Sequence, residues 1–174
     1  MEAAPEKPTR IRRDGTVLGF DVGARRIGVA VGSAFGHGAR ALAVIDVHGH
    51  GPDWASIDRL RNEWRPDGLI VGDPMTLDGE DQPIRQRAHA FARELQRRYN
   101  LPVVLVDERM SSIEAAQRFA SDRAEGRKRR RDAEALDAVA AAVIIERWLA
   151  APDDAPDISE FERHKRPSPP PTTA

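Results

Sequence analysis

A chain of 174 residues, at roughly 100 to 200 residues per domain, holds one domain with short appendages. Hydrophobic residues at 40%, charged residues at 32% and a net charge of -1 allow a packed core beneath a densely charged surface, which excludes wholesale disorder. Without cysteine there is no disulfide scaffold, thiolate zinc site or thiol nucleophile, and without a signal-peptide core or a long apolar run the expected location is the cytoplasm, with no membrane partner.

Residues 1–15 carry Pro and scattered charge without periodicity and read as a flexible arm. The folded domain is expected over residues 16–150. Thr16 to Asp21 alternates as a strand, with Leu18 and Phe20 on one face and Val17, Gly19 and Asp21 on the other. After the turn at Val22-Gly23-Ala24, Ile27 to Val31 gives a second strand and Ala41 to Val47 a third, an antiparallel meander. Trp54, Ile57, Leu60 and Trp64 recur at helical spacing behind Pro52-Asp53, and Leu69-Ile70-Val71 is a short apolar strand closed by Gly72-Asp73-Pro74.

Pro83 suits a first helical turn ahead of the stripe Ile84, Ala88, Phe91 and Leu95, and Val103 to Val106 reads as a buried strand. Ser111 with Glu114 fits a capping box that opens a helix to about Ala120. Ala133 to Leu149 is a final helix rich in Ala, Leu, Val and Ile. This order predicts a three-layer α/β body, a mixed five-stranded sheet flanked by helices. Residues 151–174 are Pro-rich and too poor in apolar groups to bury much, so a disordered tail is expected, although Ile158 and Phe161 could pin a short turn.

Three acids stand where an acid is locally out of place. Asp21 closes an apolar strand between Gly19 and Gly23, whose missing side chains leave room for a cation or a phosphate backbone. Glu108 follows a buried strand directly. Asp137 shares a helical face with Ala141, Ile144 and Trp148, a face otherwise committed to packing. Hard oxygen ligands select Mg²⁺ or Mn²⁺, and two such ions about 3.5 to 4 Å apart activate water and stabilise a leaving oxygen in phosphodiester hydrolysis. Each acid alone is equally a cap or an ion pair; three on different buried elements favour one site. Asp107 points away from Glu108 by alternation, and Asp73 before Pro is an ordinary turn starter.

From Arg118 to Arg131 there are seven basic residues against two acids, a charge pattern suited to phosphate or to a solvated linker. Arg127, Lys128, Arg129, Arg130 and Arg131 would overhang the acids, and Arg25, Arg26 and Arg109 would join them. His48-Gly49-His50 reads as a Gly-rich turn, Ser111 and Ser112 as caps. The three Trp residues fall at helical packing positions.

Leu18-Gly19-Phe20-Asp21-Val22-Gly23 with Arg26-Ile27-Gly28-Val29-Ala30, then Val71-Gly72-x-Pro74, Asp107-Glu108-Arg109-x-Ser111 and Asp137-Ala138-x-Ala140-Ala141 resemble the four signature blocks of the YqgF (RuvX) family, in order, over about residues 16–150. The resemblance implies a ribonuclease H-like fold related to Holliday junction resolvases. It further implies a bacterial nuclease of ribosome biogenesis that matures the 5′ end of pre-16S ribosomal RNA. Asp21, Glu108 and Asp137 match its acidic site, served by Mg²⁺ or Mn²⁺. One departure is visible: Asp73 stands where the family usually has an apolar residue, which adds an acid to the site or alters a turn.

The leading expectation is a metal-dependent nuclease, monomer or homodimer, acting on precursor ribosomal RNA. A nuclease selective for branched DNA and a non-catalytic RNA-binding assembly factor are the alternatives. An ATP-handling enzyme of the sugar kinase and actin type shares the Asp-x-Gly hairpin but requires a second, duplicated domain that the length excludes.

Overall fold

The computed structural model describes residues 10–34, 38–74, 83–107 and 131–160, with side chains in the last stretch from residue 135 onward. The strands are β1 (Thr16–Val22), β2 (Arg26–Ser33), β3 (Gly38–His48), β4 (Gly51–Pro52), β5 (Gly68–Asp73) and β6 (Val103–Asp107); the helices are α1 (Trp54–Trp64), α2 (Pro83–Tyr99) and α3 (Arg131–Ala150). They form one sheet in the order β4-β3-β2-β1-β5-β6. β1, β2 and β3 pair antiparallel, as the meander reading requires. β5 and β6 add in parallel beside β1, each reached through a helix.

The sheet has six strands, not the expected five. The sixth is β4, two residues paired with the end of β3, too short to carry any periodicity. The capping helix expected from Ser111 lies outside the described residues.

Period-two alternation divides the strands into two cores. On one face Leu18, Phe20, Ile27, Val29, Leu69 and Val71 pack against Ile57 of α1 and Phe91 and Leu95 of α2. On the other Val17, Ala30, Ile70 and Val104 pack against Ala141, Ile144, Ile145 and Trp148 of α3. Each large side chain so buried contributes about 1.5 to 3 kcal/mol. The result is the three-layer body that the element order predicts.

The α1 N-terminus is held by Asp53, whose carboxylate accepts from Ser56 N, which satisfies an otherwise orphaned first-turn donor. α3 lies close on β1 and β2 because glycine faces it: a Cβ on Gly19 would collide with Ile145, and one on Gly28 with the Asp137 carbonyl oxygen.

Packing extends beyond the expected limits at both ends. Ile11 is buried against Gly68, and Gly15 N donates to the Arg12 carbonyl at 3.0 Å. After α3 the chain makes a short 3-10 helix, Pro152–Asp154, and then runs along β6, where Leu105 N donates to the Pro156 carbonyl at 2.9 Å and Val104 bridges Asp157. Ile158 is fully buried in the α1–α2 core. The boundary at residue 150 therefore does not mark the end of packing, and the pin at Ile158 is real. Phe161 and the rest of the Pro-rich segment lie outside the described residues.

Candidate functional site

Strand direction collects the candidate residues at one edge. β1, β5 and β6 run parallel, so Asp21, Asp73 and Asp107 all come at their carboxyl ends. β2 runs the other way and begins at this edge with Arg26.

Within the edge the two faces hold different acids. Asp21 is the register partner of Gly28 across β1 and β2, and Gly28 abuts the backbone of Asp137. Register partners in a sheet share a face, so Asp21 and Asp137 both belong to the α3 side. Both are half-buried. Ala141, Ile144 and Trp148, which share the helical face of Asp137, lie in the core beneath α3, so that face packs as its sequence pattern requires.

Arg26 pairs with one of the acids. Its Nε donates to Asp137 Oδ2 at 2.8 Å, across the boundary between β2 and α3. Arg25 is exposed on the β1–β2 turn, and its carbonyl accepts from Val47 N at 2.9 Å. Glu108, Arg109, Arg127, Lys128, Arg129 and Arg130 lie outside the described residues, as does the side chain of Arg131. Val106 faces the α3 core and Leu105 the opposite one, so alternation gives Asp107 to the α1–α2 side, as expected. The Asp107 carbonyl accepts from Arg147 Nη1 at 3.1 Å. Among the described residues no three potential metal ligands converge.

Asp73 lies on the other face and does not join Asp21 and Asp137. It is buried and accepts hydrogen bonds from Arg85 Nε at 2.9 Å and Nη2 at 3.2 Å, and from His89 Nε2 at 3.0 Å. Burial raises the Asp73 carboxyl, but the hydrogen bonds and charges of His89 and Arg85 outweigh it and leave it below the ordinary carboxylate value. Asp73 thus lies on the opposite face from Asp21 and ties the end of β5 to α2. The available signal was the spacing of Arg85 and His89, four residues apart beside the apolar stripe of α2 and hence on one helical face.

His48 closes β3 and pairs with Gly51 across the hairpin, which agrees with the turn reading. Trp148 is buried, while Trp54 and Trp64 pack against the α1–α2 core. No described helix is long and apolar enough to cross a membrane.

The sequence matches the RuvX family, described as Holliday junction resolvase, over residues 15–151. A Xanthomonas axonopodis pv. citri protein named "Putative pre-16S rRNA nuclease" is 77% identical over 145 residues, which is 83% of this chain and 94% of that protein. A relative of the same name from Xanthomonas campestris pv. campestris, strain B100, is 74% identical over 145 residues with the same coverage. Among solved structures, Thermus thermophilus RuvC in complex with a Holliday junction substrate superposes with a TM-score of 0.50 at 17% identity, covering 82% of this chain and 99% of that one. At that identity the likeness is one of fold, and it places the six-stranded sheet in the expected ribonuclease H-like class. Matched by the family over most of its length and about three-quarters identical to these relatives over the 145 aligned residues, the chain belongs to the RuvX family.

Proposed function

We propose that the chain is a divalent-metal-dependent nuclease that hydrolyses phosphodiester bonds during 5′-end maturation of pre-16S ribosomal RNA in the cytoplasm. The observation that carries this reading is the placement of Asp21 and Asp137 on one face of one sheet edge, Gly28 being the register partner of Asp21 and abutting the Asp137 backbone, in a member of the RuvX family. Carboxylates are the hard oxygen donors that a divalent cation of this kind takes. Asp21, Asp137 and Glu108, which follows β6, would hold Mg²⁺ or Mn²⁺. Such an ion supplies Lewis acidity and a reactive water at neutral pH.

The chain's own residues do the positioning. Arg26 fixes the orientation of the Asp137 carboxylate through its Nε donor. Arg25 on the turn, with Arg109 and the run Arg127, Lys128, Arg129, Arg130 and Arg131, would hold backbone phosphates. The protein would act as a monomer or homodimer.

Branched DNA is the second reading. It is favoured by the description of the family as Holliday junction resolvase, and the same acids would serve it. The deciding experiment is cleavage of a precursor ribosomal RNA fragment with Mg²⁺ or Mn²⁺, beside an Asp21→Asn variant and a four-way DNA junction. RNA cleavage lost in the variant and with chelator supports the proposal, and cutting of the junction alone supports the second reading. If neither is cut while RNA still binds in a salt-sensitive manner, the chain is an assembly factor rather than a nuclease.

A further inference from the structure

The β1–β2 turn has a second side. Asp21 faces α3, and by alternation Val22 faces the opposite way, into the α1–α2 core. On that side a cavity of about 490 Å³ opens between the turn, the β3–β4 hairpin and α2, within the roughly 300 to 1,000 Å³ range of small-molecule sites. Its walls are Val22, Ile27, Pro52, Trp54 and Phe91, and His48 and Arg87 line it as polar groups.

The walls are preformed. Trp54 stacks on Phe91 with ring centroids 5.4 Å apart, and the Arg98 guanidinium covers Trp54 at 4.3 Å. These contacts hold Trp54 in place beside the apolar side chains of the wall. Arg87 and Glu94 both line the cavity, and Glu94, held ionised with its pKa lowered to about 2, is paired with Arg97 at 2.5 Å and Arg98 at 3.0 Å. Arg87 Nη1 donates to the Ala24 carbonyl at 3.4 Å, which keeps a guanidinium at the turn that also exposes Arg25. Acid and cavity thus lie on the two sides of one short turn, with cations between them.

We propose that this cavity is a subsite for one unpaired nucleobase of the strand held at the acidic edge. The proposal rests on the nuclease reading above. A single strand crossing Gly23 to Arg25 would set one phosphate toward Asp21 and Asp137, the next against Arg25 and Arg87, and the adjoining base into the cavity. Apolar walls accept any base, so the contact fixes strand position without selecting sequence.

Gly49 gives a clean test. It lines the cavity, a Cβ there meets nothing within 4 Å, and its backbone is not left-handed, so Gly49→Trp adds an indole at the cavity rim without strain, to compete with a guest. The experiment measures binding of a short fluorescein-labelled single-stranded RNA in chelator, with an abasic nucleotide stepped along the strand, for the wild type and Gly49→Trp. Cleavage by both proteins is assayed separately with Mg²⁺ or Mn²⁺. One position is expected at which base removal weakens wild-type binding about tenfold, and Gly49→Trp should erase that difference.

No sensitive position in the wild type, or a penalty that persists in Gly49→Trp, overturns the subsite. Intact cleavage without a sensitive position removes the subsite and leaves the nuclease. A sensitive position erased by Gly49→Trp in a protein that cuts nothing does the reverse.

Discussion

Arg26 and Asp137, 111 residues apart in sequence, are joined by a 2.8 Å hydrogen bond between the first residue of β2 and the inner side of α3. With the side chains 37% and 29% exposed, such a pair contributes about 1 kcal/mol or less to stability. Its consequence is geometric, because it fixes the carboxylate expected to hold a cation. Losing the outer partner of a metal ligand typically costs about 10 to 100-fold in metal affinity or activity. Arg26→Ala should therefore lower kcat by about that factor and raise the metal concentration needed for half-maximal rate, with near-normal melting. A rise in KM at unchanged kcat would instead make Arg26 a substrate-binding residue.

Gly28 is the register partner of Asp21 and abuts the backbone of Asp137. A methyl group there collides with the backbone of Asp137 and must push α3 off the sheet. Gly28→Ala should destabilise the fold by about 3 kcal/mol, the upper part of the overpacking range, and reduce cleavage with it. Gly49→Ala, where a Cβ meets nothing within 4 Å, should stay within about 0.5 kcal/mol of wild type. Urea unfolding of both variants checks the contrast; equal midpoints would mean that α3 accommodates the methyl.

What was legible in the sequence follows from what periodicity can carry. β1, β2 and β5 alternate or run apolar long enough to be seen, and the register of the first two then fixes the side on which Asp21 lies. Asp137 could be suspected because an acid interrupts a packing face, but its neighbour Arg26 is remote in sequence and has no local signature. Asp73 looked like a turn starter because Pro follows; its partners sit on another element, and only the fold turns α2 toward it. Ile158, with Phe161, stands out among prolines and acids as able to pin a turn, but one side chain filling a hole built by distant residues leaves no periodicity that says where it packs.

That side chain should matter to stability. Ile158 is fully buried among the side chains of the α1–α2 core, and truncating a buried Ile to Ala costs about 2 to 5 kcal/mol. Ile158→Ala should fall in this range by chemical denaturation. Ending the chain after Ala150 should cost at least as much, because it also removes the bridge between Asp157 and Val104 and bares the β6 edge. A truncated chain as stable as the full one would show that the segment rests on the body without holding it.

The Asp73 network should be visible as a pH dependence. Its carboxyl titrates below the ordinary value because Arg85 and His89 of α2 hold it ionised despite burial. The folded state thus binds that proton less readily than the unfolded chain. The stabilisation is complete above the unfolded value of about 4 and is lost as pH falls through the lower folded one. Hydrogen bonds to a buried charge are worth about 1.5 to 3 kcal/mol, so Asp73→Asn should be less stable than wild type by about 2 kcal/mol at neutral pH. On acidification below about pH 4 the gap should narrow, because the wild type then loses the same charge. Urea unfolding of both proteins across this range tests the sign: a constant gap would mean that the Asp73 charge contributes no pH-dependent stability, and a widening gap would reverse the assignment.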